Sequence, residues 1–118
     1  MKMLDQERAK FAWEKVQGQT KDYKNLVKSA PAMVMTNGLM QTLAFLKGKG
    51  KDHHEILLNH IMKWLQENNI INGGDFSHTM ESLYKMDSYE YQMATEETIA
   101  ILRWLRQFAD AVIDGGNR

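Results

Sequence analysis

Three lysines in the segment LKGKGK, residues 46–51, are the side chains of this sequence best suited to binding phosphate. Lys47, Lys49 and Lys51 alternate with glycines, and a flexible cationic loop of this kind suits loose contact with a phosphate backbone. A P-loop is excluded, because its lysine is followed by a hydroxyl residue that holds magnesium, whereas Lys51 is followed by Asp52. The alternative is a solubilising loop that caps two helices. The segment therefore predicts a phosphate contact or a solvated connector, and no nucleoside triphosphate site.

No arrangement of side chains in the sequence predicts catalysis or a metal site. The segment HHEILLNH superficially resembles a zinc-protease helix, but that motif needs a second histidine four residues after the first. Leu57 and Leu58 stand at that spacing from His53 and His54. His60 follows His53 by seven residues, which is two helical turns. We therefore expect no enzymatic activity, no catalytic residue, no metal ligand and no cofactor.

Length and composition indicate one soluble domain covering residues 1–118. Hydrophobic residues make up 43% and charged residues 25% of the chain, as in ordinary globular proteins. The sequence has no cysteine, which excludes disulfides and is compatible with a reducing cytosol. The charged N-terminal segment is no signal peptide, and no run reaches the ~18 apolar residues of a membrane span. We expect a cytoplasmic protein.

The formal net charge of zero conceals an uneven distribution along the chain. Residues 1–51 contain ten Lys/Arg and four Asp/Glu, a balance of +6, whereas residues 52–118 contain five and eleven, a balance of −6. Such asymmetry can produce a dipolar molecule that binds an anion with one face and a neighbour with the other. The alternative is that the charge blocks are solvated helix faces.

Helical periodicity without strand-like alternation predicts an all-α, single-domain bundle of about five to six helices, with long first and last helices. The first is expected over residues 3–29, and Gly18 leaves open whether this is one helix or two. Pro31 is expected to end that segment, because the residue before a proline avoids the helical region. A short helix over residues 31–35 follows.

Capping residues predict where the remaining helices begin and end. The next helix is expected from Thr36 or Asn37 to Gly48, and the one after it from an Asp52/Glu55 capping box to residues 72–74. A short helix is expected from Asp75 or Ser77 to about Met86, and the last helix from an Asp87/Glu90 capping box to Gly115 and Gly116. The residues expected to face the core are Leu39, Leu43, Leu46, Leu58, Ile61, Met62, Leu65, Ile101 or Leu102, Leu105, Phe108, Ala109 and Val112.

Three blocks of sequence go beyond composition and resemble a known family. They are QERAKFAWEKV (6–16), YKNLVKSAPAMVMTNGLMQTLAFLKGKG (23–50) and ATEETIAILRWLRQFADAV (94–112). In this order they are similar to the small-subunit family of the Cmr complex, the type III-B CRISPR effector, in which this subunit is the fifth Cmr protein. The segment TNGLMQTLAFL is the most specific part, and WLRQFA supports it. Residues 66–93 carry no likeness.

The resemblance implies a small, all-helical, non-catalytic subunit of an RNA-guided antiviral ribonucleoprotein. In the family, copies stack into a short filament beside the guide-bound backbone subunits, and a basic groove follows the target RNA. Cleavage belongs to the backbone subunits, and the nuclease and cyclase activities belong to the large subunit. The implied partners are these Cmr subunits, further copies of the chain, guide RNA and target RNA, with no membrane. The expected RNA contacts are Lys24, Lys28, Lys47, Lys49, Lys51, Arg103 and Arg106, with one of the two arginines alternatively pairing with the acidic half.

Other classes of function stay open on the residues alone. A helical adaptor would bind only proteins, through its Met- and Trp-bearing faces, with no nucleic-acid role. A DNA-binding regulator would need a basic recognition helix, but the helix after the basic loop, DHHEILLNHIMKWLQEN, is acidic to neutral. An enzyme ranks last.

Overall fold

The computed structural model describes residues 4–114, and this part of the chain folds into helices joined by short turns, with no strand. The all-α fold class is confirmed. The glycines predicted to end the last helix, Gly115 and Gly116, lie outside the described residues. No helix in the described range is long and apolar enough to cross a bilayer. The helices are α1 (Leu4–Val16), α2 (Lys21–Asn37), α3 (Leu39–Lys49), α4 (Asp52–Glu67), α5 (Phe76–Tyr84) and α6 (Ser88–Val112).

One hydrophobic core receives side chains from every helix. α6, with 25 residues, packs against α1, α2 and α4, while α3 packs against α2, α4 and α5. Phe108 is only half-buried, and the prediction that Val112 faces the core is wrong, because it is 39% exposed. The chain leaves the helix after Val112, and Ile113, with extended backbone, is buried instead. The other predicted core positions are buried: Leu39, Leu43, Leu46, Leu58, Ile61, Met62, Leu65, Ile101, Leu102, Leu105 and Ala109.

Gly18 divides the predicted first helix into two. Its φ of 76° is in the left-handed region, which a glycine adopts without strain. α1 ends at Val16, and the turn is closed by a hydrogen bond from the Gln19 N–H to the Val16 carbonyl. Thr20 then caps α2, its hydroxyl accepting from the Tyr23 N–H at 3.2 Å. The alternative that the sequence left open is thereby resolved as two helices.

The prediction that Pro31 ends a helix is wrong, since α2 runs through it to Asn37. A proline inside a helix removes one hydrogen bond and costs about 3 kcal/mol. Here Pro31 is itself buried, and Val27 and Val34 are buried in the turns on either side of it. Apolar packing on both sides of the proline therefore outweighs its local preference.

The cap between α2 and α3 comes from a distant residue. Thr36 and Asn37 both belong to α2, so neither caps α3 as predicted. Gly38, with a φ of 89°, is the N-cap and has no side chain to offer. The Tyr91 hydroxyl of α6 accepts a hydrogen bond from the Met40 N–H at 3.0 Å instead. A helix end that local sequence leaves uncapped is thus satisfied by tertiary packing.

The predicted capping box at the start of α4 does not form. Lys51 is the N-cap and makes no side-chain cap hydrogen bond, while Asp52 and Glu55 both lie inside the first turn. The Glu55 carboxylate lies 3.6 Å from Lys47 Nζ. Asp52 and Glu55 still favour the positive end of the helix dipole, but they do so without the reciprocal cap.

The prediction that α4 extends to residues 72–74 is wrong, because the helix ends at Glu67, with Asn68 as its C-cap. The other boundaries agree closely with the sequence. α3 ends at Lys49, one residue after the predicted Gly48. Asp75 caps α5, its carboxylate accepting from the His78 N–H. The capping box that opens α6 is confirmed, with both reciprocal hydrogen bonds between Asp87 and Glu90 present.

A partly buried ion pair fastens α1 to α6 and α4. Arg8 donates hydrogen bonds of 2.7 Å from both Nε and Nη2 to the two carboxylate oxygens of Glu97. Trp64 Nε1 donates to the same carboxylate at 2.9 Å. Burial alone would raise the pKa of Glu97, but the hydrogen bonds from Arg8 and Trp64 and the charge of Arg8 outweigh it and lower the pKa. We call this cluster the Glu97 junction; nothing in the local sequence indicated it.

A partly buried hydrogen bond joins α2 to α4. The Tyr23 hydroxyl lies 2.8 Å from His60 Nδ1, and the two rings meet edge to face. Burial, with a smaller contribution from the charge of Lys15, lowers the pKa of His60 to about 4. Burial also raises the pKa of Tyr23. His60 is therefore neutral near pH 7 and accepts the Tyr23 proton on Nδ1.

Replacing Glu97 with alanine should lower the free energy of unfolding by about 2–4 kcal/mol, because the Arg8 guanidinium and the Trp64 N–H lose their partner. The melting temperature should fall by roughly 10 °C, as measured by circular dichroism. Glu14→Ala, at an exposed position on α1, is the matched control and should move it by less than about 2 °C. If the two variants have the same melting temperature, the Glu97 junction does not stabilise the fold.

The neutral His60 should make the protein less stable in mild acid. Its folded pKa of about 4 lies below the unfolded value of ~6.5, so the unfolded state binds more protons between these pH values. Stability therefore rises with pH through this window, and should fall by roughly 2 kcal/mol from about pH 7 to about pH 5. Urea denaturation at both pH values measures this loss. His60→Gln, which does not titrate, should lose less, and an equal loss would assign the effect to other groups.

Candidate nucleic-acid interface

The basic corner, which we define as Lys47, Lys49, Lys51 and His53, is the turn from α3 into α4. All three lysines are exposed. Gly50 makes the turn with a left-handed φ of 67°, and a Cβ placed there would meet nothing within 4 Å. The turn therefore faces open solvent, and a short reversal of the chain keeps the cationic side chains together.

The lysines of the basic corner are held only weakly within the molecule. The Lys47–Glu55 pair is exposed, and such pairs contribute about 0–1 kcal/mol. Lys49 Nζ lies 5.5 Å from the Phe45 ring centroid, an exposed cation–π contact of about 0.5–1 kcal/mol. Within residues 4–114, Lys51 makes no ion pair or ring contact. A polyanion could recruit all three ammonium groups at little cost.

The paired histidines at the corner have different environments. His54 is buried, with its ring 5.8 Å from Phe45 and 4.4 Å from His53. Burial lowers the pKa of His54, and the charges of His53, Lys49 and Lys51 lower it further. Its Nδ1 has no hydrogen-bond partner. His54 is thus a neutral core residue, and no three metal-ligating side chains are grouped anywhere in residues 4–114. His53, half-buried beside the lysines, is the corner residue that the sequence interpretation missed.

Lys24 and Lys28 lie elsewhere, along the seam between α2 and α6. Lys24 Nζ donates to the Ile113 carbonyl at 3.2 Å, at the C-terminal end of α6. There a cation also complements the helix dipole. Lys28 Nζ lies 3.9 Å from Asp110, and Arg106 precedes Asp110 by one turn of α6. These residues form a second, weaker cationic surface, in which the lysines also serve helix packing.

Arg103 stands apart from both cationic surfaces. It precedes Arg106 by three residues, which places the two side chains about 60° apart around α6. Arg103 lines a shallow recess of about 350 Å³ together with Asp5, Ala100, Trp104 and Gln107. The seven predicted contacts therefore lie at three places: the corner, the α2–α6 seam and this recess.

Ion pairs within the fold partly neutralise the charge asymmetry of the sequence. Arg8, Lys28 and Lys47 come from the basic first half, and each pairs with a carboxylate of the acidic second half. Setting these three pairs aside reduces the balances from +6 and −6 to +3 and −3. Much of the asymmetry therefore binds the halves to each other, and less of it is free for partners.

Comparison with known proteins identifies the family. The model of the CRISPR-associated protein family Cas_Cmr5 matches residues 4–112. The chain belongs to the Cmr5 family. The match includes residues 66–93, where the sequence alone showed no likeness.

Curated relatives and a solved structure agree with this assignment. A CRISPR system Cmr subunit Cmr5 of Thermus thermophilus is 28% identical over 97% of this chain and 99% of its own length. The Cmr subunit Cmr5 of Thermotoga maritima is 31% identical over 98% and 88%. The crystal structure of a Cmr5 family protein from Thermus thermophilus superposes with a TM-score of 0.79 at 27% identity, covering 96% of this chain and 100% of that one. The predicted family resemblance is thus confirmed over nearly the whole chain.

Proposed function

We propose that this Cmr5-family chain is a non-catalytic subunit of a cytoplasmic RNA-guided Cmr effector complex, and that its basic corner contacts the RNA backbone. Both curated relatives are named as Cmr subunits. The single observation that carries the RNA contact is the exposed corner itself, where Lys47, Lys49 and Lys51 surround an open turn. The partners would be the backbone and large Cmr subunits, further copies of the chain, and guide and target RNA.

The chemistry of the corner suits phosphate better than bases. A lysine ammonium is a compact charge on a flexible stem, without the planar fork that reads a base edge. Contacts to phosphates position a nucleic acid but carry no sequence information. In a guided complex this is an advantage, because pairing with the guide reads the sequence and the protein must accept every target. The corner therefore supplies affinity that is independent of sequence.

Three titratable groups that could serve catalysis are instead part of the packed fold. Glu97 is held by Arg8 and Trp64, and His60 is held by Tyr23. His54 is buried and neutral beside Phe45. These assignments support a chain that leaves chemistry to other subunits.

Stacking of copies would place several basic corners along one RNA. A filament requires a head-to-tail contact between two different patches of the chain. The internal ion pairs reduce the charge available for such a contact, so apolar surface must contribute to it. Exposed side chains such as Trp13, at 48%, and Met35, at 65%, offer that surface.

These same apolar side chains favour a second candidate function, a protein-only adaptor. Such an adaptor would leave the basic corner solvated in the assembled complex. RNA-binding measurements on corner variants separate the two functions.

Replacing Lys47, Lys49 and Lys51 together with alanine should weaken target-RNA binding by the reconstituted complex to a similar degree for every target sequence. Each lost contact to single-stranded RNA lowers the slope of log K against log salt by ~0.7, so the slope should fall by up to about 2. A salt titration of RNA binding measures this slope directly.

The matched control for this experiment changes the same net charge elsewhere: Lys21, Lys63 and Lys85, all exposed, replaced together with alanine. Both triple variants should melt like the parent, since none of the six lysines is in the core. A corner variant that assembles normally and keeps the parental slope would leave the corner as a solvated cap and favour the adaptor.

The isolated chain should cleave neither RNA nor nucleotides, with or without divalent metal, because its candidate groups are held in structural contacts. Incubation with labelled RNA and with nucleoside triphosphates tests this. Cleavage that a single substitution in this chain abolishes would overturn the non-catalytic assignment.

A further inference from the structure

One face of α6 is left uncovered by the rest of the fold. It carries residues spaced alternately four and three apart, a spacing that keeps side chains on one side of a helix. The helices α1, α2 and α4 pack against α6, yet every residue of this face except the half-buried Ala100 is exposed. We call this face the outer stripe, and it consists of Tyr89, Met93, Glu96, Ala100, Arg103 and Gln107.

The outer stripe exposes apolar groups at one end and has a recess at its centre. Tyr89 is 72% and Met93 49% exposed, which is unusual for large apolar side chains one turn apart. At the centre, the small side chain of Ala100 lines the recess of about 350 Å³ described above. Trp104 borders this recess, its Nε1 lying 3.4 Å from Asp5. A small residue at the middle of a helix face lets a second helix approach closely.

The two opposite charges on the outer stripe are arranged nearly symmetrically about Ala100. Glu96 lies four residues before it and Arg103 three residues after it. An antiparallel copy of α6 centred on Ala100 would bring each Glu96 to within one residue, about 1.5 Å along the axis, of the position opposite the other copy's Arg103. Met93 would lie opposite Gln107, since each is seven residues from the centre. A parallel copy would instead place like charges opposite each other, which is unfavourable.

We propose that the outer stripe binds a second copy of this chain, with the two α6 helices antiparallel about Ala100. The contact is isologous, because the same residues contribute from both copies. Arg103 is free to take this role, having no ion pair within the described part of the chain, and Glu96 makes only an exposed hydrogen bond with Gln92. This contact is separate from head-to-tail stacking and does not depend on RNA binding. It assigns Arg103 to protein contact and leaves Arg106 beside the α2–α6 seam.

Charge reversal tests the antiparallel arrangement in the isolated full chain, by sedimentation over a concentration series. The parent should form dimers as its concentration rises. Glu96→Arg and Arg103→Glu should each raise the dimer dissociation constant by about tenfold or more, since each creates two repulsive pairs across the two-fold axis. An equimolar mixture of the two variants should recover dimers, because every facing pair is then attractive. The doubly reversed chain should recover them as well.

The matched control reverses another exposed pair, Glu81→Arg with Lys85→Glu on α5, and should leave the dimer unchanged. A parent chain that stays monomeric throughout would overturn the proposal. So would a dimer that is indifferent to the single reversals, or a mixture that fails to associate. If the single reversals leave the dimer unchanged but release the chain from the assembled complex, the stripe binds a different subunit. That result would also overturn the proposal.

A cysteine at the centre of the stripe gives an independent test, because the natural sequence has none. Ala100→Cys would meet its own counterpart at the two-fold axis and should form a covalent dimer under mild oxidation. Ala44→Cys, at an exposed position on α3, is the control and should remain monomeric under the same conditions. Equal cross-linking of the two variants would exclude the proposed register.

Discussion

The carboxylate of Glu97 joins three helices, and the position of α1 along α6 depends on it. It accepts two hydrogen bonds from Arg8 of α1 and one from Trp64 of α4. Because this carboxylate is largely withdrawn from water, its hydrogen bonds are stronger than those of an exposed pair, and losing one partner is costly. α1 is thereby fixed along one side of α6 while α2 occupies another. The outer stripe is the face of α6 that neither helix covers, and it is open to solvent.

Three ion pairs join the basic first half of the chain to its acidic second half, and they reduce the charge available to partners. The cations of the first half that pair internally, Arg8, Lys28 and Lys47, differ in burial and therefore in what they contribute. Arg8 is mostly buried and structural, whereas the Lys28 and Lys47 pairs are half-exposed and exchange readily with other anions. This difference separates the cations that build the fold from those that remain available to external anions. The basic corner belongs to the second group, since its turn faces open solvent.

Sequence patterns predicted the helices well where local and tertiary preferences agree. The Asp87/Glu90 capping box and the buried leucines of α3 are local features that the fold retains. Pro31 was misjudged because packing of its neighbouring turns outweighs a local cost. The cap of α3 could not be foreseen, since its donor and acceptor, Met40 and Tyr91, are 51 residues apart. The seven candidate RNA contacts could be named from the sequence. Their separation into three places could not be predicted, because it depends on contacts between residues far apart in the chain.

The central claim, that the basic corner lies on RNA phosphate in the assembled complex, is tested most directly by lysine footprinting. The complex is treated with an acetylating reagent with and without target RNA, and modification at each lysine is quantified by mass spectrometry. Lys47, Lys49 and Lys51 should be protected when RNA is bound, while the exposed Lys63 and Lys85 should react equally in both states. Unchanged reactivity at all three corner lysines, in a complex that demonstrably holds its target, would contradict the account.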